Sequence, residues 1–377
     1  MKHILLIIST GFALFSMFFG SGNLVFPLAV GQESNHHYFW ASIGICMTGV
    51  LVPLLGALGI LLFKGDSDRF FGVIGRPARF WLPFIMLSLL GPFGVVARCI
   101  TVAEGSFNLV FPNTSLILFS FISCIIIYFV AANKKRIIPL LGSILTPCLI
   151  IMLTLVAIFG FWYGTPSEST NTFAIDAFKN GFFQGYQTMD LLAAFFFSSF
   201  ILTHLEKETS DKNTIWKIFL QSALIGGALL SAVYFALVFL GAAYASELQN
   251  IPPQEMLGFI AQKSLGSFSA PIVCTTIVLA CFTTAVVLAS LFADFLKTRI
   301  ANNKISDRTA MITTLSIAFV VSTFEFAGIS NFLAPILEAI YPALIVLTLM
   351  NIASELWGLK SQKWPVYLTL AAKLGYF

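Results

Sequence analysis

Ten apolar stretches, each long enough to cross a bilayer, follow one another along this chain. They lie at roughly 4–30, 39–63, 80–104, 115–132, 138–162, 174–203, 215–245, 267–296, 309–326 and 329–350. A helix needs about 20 mostly apolar residues to cross the hydrocarbon core. Inside that core every backbone N–H and C=O must find its partner within the protein. The chain is therefore expected to be an all-α polytopic membrane protein. Only 10% of its residues are charged, against about 25% in a soluble domain. The start, Met1-Lys2-His3 followed by an apolar run, imitates a signal peptide. That run continues past Phe26 with no small-residue cleavage site after it, so it reads as an uncleaved first span. An eleventh stretch, 364–377, reaches only about 21 Å as a helix at 1.5 Å per residue. It crosses barely or lies along the interface.

The loops alternate in charge. Lys2 precedes the first span. Arg69, Arg76 and Arg79 lie between the second and third, and Lys134, Lys135 and Arg136 between the fourth and fifth. Lys207 and Lys212 follow the sixth, Lys297 and Arg299 the eighth, Lys360 and Lys363 the tenth. The opposite loops hold Lys179 and Lys263. By the positive-inside rule the N-terminus is cytoplasmic. The net charge of +4 then reflects membrane topology, and no nucleic-acid partner is expected.

Two of the spans are interrupted at mid-membrane. The first carries Gly20-Ser21-Gly22-Asn23 inside "GFALFSMFFGSGNLVFPLAVG". The sixth, "NGFFQGYQTMDLLAAFFF", is interrupted by Gln184, Gly185, Gln187, Thr188 and Asp190. Non-helical backbone at that depth is tolerated only where protein buries it or water reaches it. Spans 1 and 6 are five apart, so they run in opposite directions. This is the pattern of an inverted five-plus-five repeat with its binding site at the midplane. The repeats are placed at about 4–162 and 174–350 of a single core, 1–350, followed by a short loop and the truncated segment in 351–377. Asn23 reads as the N-cap of the outer half of span 1. Asp190 falls in the first turn of the inner half of span 6, where a carboxylate supports the break by opposing the helix dipole. Free N–H groups at such half-helix starts suit a carboxylate, and free carbonyls suit an amine or a small cation. Gly181 and Gly185, four apart, serve either helix packing or function.

In span 8, "ACFTTAVVLAS" places Thr283 and Thr284 one turn after Ala280. These are hard oxygen ligands, although threonine in a membrane helix commonly bonds its own backbone. Arg98 and Glu104 are expected near the outer end of span 3, each costly at mid-bilayer. They pair with neighbouring spans, reach the interface, or form an outer gate. The six cysteines lie singly in apolar runs and read as buried hydrophobes. His36-His37 has no acidic or thiol partner nearby, so no metal site is read there. No P-loop and no soluble domain occurs. Intramembrane His clusters, Asp pairs and Ser-His pairs are missing too, which argues against an enzyme. The compact liganding groups argue against a channel.

At this point a resemblance enters. The stretches "FFGSGNLVFPLAVG", "GPFGVVARCITVAEGSF", "NGFFQGYQTMDLLAAFFF", "ACFTTAVVLASLFADF" and "LEAIYPALI" resemble, in that order, the branched-chain amino acid:cation symporters (BrnQ-like). These belong to the amino acid–polyamine–cation superfamily with the LeuT-type fold. The resemblance covers nearly the whole chain. It implies discontinuous first and sixth helices and a plasma-membrane location (the bacterial inner membrane), with the lipid bilayer as surroundings and no obligate protein partner. It implies Na⁺ held by Ser16 and Phe19 carbonyls, the Ala280 carbonyl and the Thr283 and Thr284 hydroxyls. It places the substrate's carboxylate at Gly20, Ser21, Gly22 and Asn23. The amine falls to carbonyls of Tyr186, Gln187 and Thr188, and Met189 with nearby Phe182 and Phe183 forms the apolar pocket. Some proton-coupled relatives carry a lysine in span 5 at the cation position; "IIPLLGSILTPCLIIML" has none, which favours Na⁺ as the coupling ion, with no other cofactor. Members usually have twelve spans, and this sequence ends within the eleventh; the ten-helix core is expected to suffice. The expected function is Na⁺-coupled import of leucine, isoleucine and valine by alternating access. The alternative is symport or exchange of aromatic or other neutral amino acids, with protons as a second coupling ion.

Overall fold

The computed structural model describes residues 2–131, 146–164, 173–209, 211–266, 270–359 and 363–374. Lys134, Lys135, Arg136, Lys360 and the first residues of the fifth apolar stretch lie outside them. The described regular structure is helical. Span 1 comprises α1 (Lys2–Phe18) and α2 (Ser21–Ser34). The chain then turns at Asn35, whose φ is 43°, into span 2. That span is α3 (Tyr38–Cys46), a wide turn at Met47–Leu51, and α4 (Val52–Leu62). A short α5 (Ser67–Gly72) follows. Span 3 is α6 (Ala78–Leu90) and α7 (Val95–Asn108); spans 4 and 5 are α8 (Leu116–Ala131) and α9 (Thr146–Tyr163). Span 6 is α10 (Ala174–Gln187) and α11 (Asp190–Glu208), and span 7 is α12 (Lys212–Ala243). After α13 (Met256–Leu265) come α14 (Ala270–Phe295), α15 (Asp307–Ser322), α16 (Glu325–Trp357) and α17 (Trp364–Leu374).

By length and apolarity alone, five described helical stretches are fit to cross a membrane, and the bent pair α10–α11 makes six. One of the five, Ser21–Leu62, carries the outer half of span 1 and all of span 2. The remaining spans of the sequence reading fall on the shorter α8, α9 and α15. Polar caps mark helix starts on the basic side. Asp66 accepts from the Arg69 amide, Asp211 from the Asn213 and Thr214 amides, and Ser306 from the Thr309 amide. Each such cap is worth about 1 kcal/mol.

Two groups of helices pack closely among themselves and meet at the breaks. In one, α1 and α2 lie along α12, α3 lies along α10 and α4 along α11. Small residues set the approach. A methyl at Gly31 would overlap the Val238 carbonyl, and one at Gly181 the Ala41 carbonyl. The pair Gly181 and Gly185 thus serves packing against span 2. In the other group α7 packs on α14, which also meets α15 and α8.

The structure corrects two sequence expectations. Span 3 is broken as well, at Gly91-Pro92-Phe93-Gly94, because proline offers no N–H and Gly94 takes a non-helical φ of −145°. The ninth helix ends at Ser322 and the tenth begins at Glu325, so Phe326 belongs to span 10, not span 9. The last helix stands against the core. It packs on α16, Tyr367 Oη donates to the Ile74 carbonyl (2.8 Å), and Lys373 Nζ sits 5.9 Å from the Phe183 ring centre.

Candidate functional site

The first break begins where α1 stops. The Phe19 amide still closes on the Phe15 carbonyl (2.9 Å). The Gly20 amide turns instead to Asn23 Oδ1 (2.9 Å), so the Ser16 carbonyl loses its helical partner. Gly20, in extended backbone, is the N-cap of α2. Asn23 is therefore the third residue of that helix rather than its N-cap. Its side chain reaches back to satisfy the capping residue's own N–H.

The second break is shorter than the sequence indicated. Helix α10 runs through Gln187, and only Thr188 and Met189 interrupt. Met189 is left-handed at φ 60°, a conformation that costs a non-glycine residue about 1 kcal/mol or more. The two half-helices meet at a bend of 42°. Asp190 opens α11 as expected, yet its side chain does not serve the backbone of its own break. Asp190 Oδ2 accepts from Asn23 Nδ2 (2.7 Å) and from the Tyr234 hydroxyl (3.0 Å), and Asn23 Nδ2 also donates to Tyr234 Oη (2.6 Å). This buried triangle joins α2, α11 and α12.

The breaks touch. A Cβ on Gly22 would sit 3.3 Å from Thr188 Cα and 3.4 Å from the Gln187 carbonyl oxygen. Ser21 Oγ accepts from the Cys99 thiol at 3.4 Å. Two of the three carbonyls expected to face an amine are engaged within the protein. Tyr186 accepts from the amides of Thr188 and Met189, and Gln187 accepts from Arg98 Nη1 at 2.8 Å. Arg98 thus sits at the level of the breaks, not near the outer end of span 3, and is 1% exposed. Glu104, half-buried two turns on, has Glu255 and Glu325 as its charged neighbours. It does not meet Arg98.

In span 8, Thr283 and Thr284 Oγ1 both donate to the Ala280 carbonyl, at 2.7 and 3.2 Å. Thr284 Cγ2 lies 3.4 Å from where a Gly20 Cβ would be, so the Thr284 side chain approaches the first break through its methyl. Phe19 is buried beside it in sequence and Ser16 partly so. The set is neutral, hard and oxygen-only, a chemistry that fits Na⁺. Phe183, by contrast, is 40% exposed and faces the last helix, and so does not line the breaks. Met189 is fully buried, and Tyr186 stacks on Tyr341 with ring centres 4.6 Å apart. Sequence reasoning missed Tyr234, Tyr341, Phe26 and Phe326. The two tyrosines left a signal, phenols inside the apolar runs "LLSAVYFALVFL" and "IYPALIVL". A hydroxyl there is costly without a partner.

Residues 3–375 match the family described as "Branched-chain amino acid transport protein". Among similar sequences, a Staphylococcus haemolyticus protein named as a branched-chain amino acid carrier is 31% identical over 368 residues, covering 90% of this chain and 80% of its own. One from a bovine strain of Staphylococcus aureus is 27% identical over 402 residues, covering 97% and 88%. Among solved structures, MhsT in complex with L-phenylalanine superposes with a TM-score of 0.67 at 14% identity, covering 97% of both chains. Inward-facing Mhp1 gives 0.64 at 16%, covering 93% of this chain and 77% of the other. At these identities the superpositions establish the fold, a LeuT-type transporter fold.

Proposed function

The chain belongs to the branched-chain amino acid transport protein family, and on that footing we propose that it is a secondary active symporter importing leucine, isoleucine and valine with Na⁺. It is a multi-pass membrane transporter and not an enzyme. The proposal adds the coupling ion, the substrate range, the bacterial inner membrane and a cytoplasmic N-terminus. The observation that carries it is the approach of Thr284, whose Cγ2 methyl lies 3.4 Å from a Cβ position on Gly20 and whose hydroxyl joins Thr283 on the Ala280 carbonyl, to the first break, which in turn lies against the second break at Gln187 and Thr188. A cation held by those three oxygens and the Ser16 and Phe19 carbonyls would tie α14 to the end of α1. The N–H groups of Ser21 and Gly22 would meet the substrate's carboxylate. Met189 would face its side chain, with Thr188 near the amine. Binding of both cargoes at one junction couples them, because each stabilises the closed arrangement the other needs. Glu104 fits an outer gate, beside Glu255 and Glu325.

The test is counterflow of labelled leucine in proteoliposomes with Na⁺ present or replaced by choline. Leucine exchange that requires Na⁺ is expected. Valine and isoleucine should compete, since a hydrophobic pocket separates them by only about 1–3 kcal/mol per methylene. Lysine and glutamate should not. Exchange unaffected by Na⁺ but driven by a proton gradient would remove the ion assignment. Stronger competition by phenylalanine than by all three would remove the substrate assignment.

A further inference from the structure

Arg98 is the largest fully buried side chain of the described residues, and a guanidinium stays charged wherever it is placed. None of the described ion pairs includes it. Its polar partner is one neutral residue: Nη1 donates to the Gln187 carbonyl (2.8 Å) and Nη2 to Gln187 Oε1 (2.6 Å). Nε, also buried, has no partner. The rings of Phe26 and Phe326 flank the guanidinium at 5.0 and 5.7 Å, which offsets part of the burial cost. An uncompensated positive charge is thus held where three elements converge. Gln187 ends α10 at the second break, and Phe26 lies on α2 one turn past Gly22. The neighbouring residue Cys99 touches Ser21 at the first break.

The pattern of used and unused donors is informative. Nε and Nη2 form one edge of the guanidinium, with two parallel N–H groups that match the two oxygens of a carboxylate. On that edge Nε is open, and Nη2 is held only by a side-chain amide that can rotate away. The bond from Nη1 to the backbone carbonyl occupies the other edge and fixes the group in place. We propose that Arg98 recognises the charge of the substrate's carboxylate in this transporter, alongside the Ser21 and Gly22 N–H groups, which can serve a carboxylate or an amide oxygen alike. Gln187 Oε1 acts as a neutral placeholder, displaced when an amino acid's α-carboxylate docks across Nε and Nη2. The substrate then supplies the counter-charge that no ion pair among the described residues gives Arg98, and the carboxylate is a condition of binding. This deepens the amino acid transport reading above and rests on it.

The test is equilibrium binding to purified full-length protein in detergent, comparing leucine with leucinamide, and phenylalanine with phenylalaninamide. Wild type should prefer the carboxylate over the amide by roughly 100-fold, the scale expected for a buried charged pair. In Arg98→Gln that gap should collapse to within about 3-fold through loss of acid binding. Arg98→Lys, a point charge without the fork, should keep an intermediate gap. Gln187→Ala should tighten leucine binding by removing the placeholder. A gap that persists in both Arg98 variants overturns the proposal. So does Gln187→Ala that binds leucine no better than wild type, because Arg98 would then be only a pin for the end of α10. Should Arg98→Gln fail to fold, the Lys and Gln187 variants still decide. If wild type binds phenylalanine but not leucine, and its acid–amide gap depends on Arg98, the branched-chain assignment fails and the role of Arg98 stands.

Discussion

At the scale of single residues, the polar groups around the two breaks bond one another in a few specific sets. Thr283 and Thr284 donate to the Ala280 carbonyl as the protein stands. A cation there would turn three oxygens already within hydrogen-bonding distance into ligands. Replacing either threonine by alanine removes one neutral ligand, at a cost of about 1–3 kcal/mol. The Na⁺ concentration for half-maximal uptake should rise roughly 5- to 150-fold, with leucine affinity at saturating Na⁺ little changed. Titration of uptake against Na⁺ measures it, and an unmoved half-maximum in the double variant would refute the assignment. The Asn23–Asp190–Tyr234 triangle is a separate matter of stability. Tyr234→Phe withdraws a donor from the buried Asp190 carboxylate and an acceptor from Asn23. It should lower unfolding free energy by about 1–3 kcal/mol. Asn23→Ala should give a similar loss, and the two together less than their sum, because they share one network. Thermal unfolding in detergent across the four proteins reads the coupling.

At the scale of helices, the group containing both breaks is assembled by close backbone approach rather than by interlocking large side chains. In lipid there is little hydrophobic force between helices, so small residues at the contact decide how near they come. A methyl at Gly31 would strike the Val238 carbonyl of α12, and one at Gly328 would meet only Phe324 Cβ at 3.4 Å. Gly31→Ala must therefore push α2 away from α12, whereas Gly328→Ala fits within its own helix. The first should lower the unfolding midpoint by several degrees, equivalent to about 1–3 kcal/mol; the second should be neutral or slightly stabilising. Equal effects would show that the α2–α12 contact is not tight. On the basic side, Arg69–Glu355 (2.8 Å) and Arg299–Asp68 (2.5 Å) join the α5 hairpin to the ends of span 10 and span 8. These pairs are exposed enough that salt will screen them.

At the scale of the whole molecule, the alternating loop charge and the LeuT-type fold give one arrangement in the bilayer. The α13 side should face outward and the loop after α14 should face the cytoplasm. Asn250 and Asn303 are exposed on these two sides. In a cysteine-free background, Asn250→Cys should react with an impermeant maleimide added to intact cells. Asn303→Cys should react only after the membrane is opened. The reverse pattern would invert the proposed topology. Ser34, at the end of α2, is 2% exposed and would report poorly on either side.

Sequence alone determined the class of fold, the presence of breaks in spans 1 and 6 and their opposite directions. Those properties follow from local quantities: apolar length, the poor helix propensity of Gly-Ser-Gly-Asn, and the spacing of basic loops. The cation ligands proposed in span 8 rest on a family resemblance, since threonines that bond their own helix look the same in sequence as threonines that hold an ion. What met what was decided by tertiary structure. Asn23 and Asp190 are 167 residues apart, and Arg98 and Gln187 are 89 apart. Which side chains converge depends on how each helix is rotated about its axis, and a shift of one residue turns a side chain by about 100° at 3.6 residues per turn. The break in span 3 did leave a local signal, the turn sequence Gly91-Pro92-Phe93-Gly94, but the run is apolar and hydropathy alone reads through it. Arg98, a charge the sequence could place only by hydropathy, was carried by that turn to the junction of the two breaks.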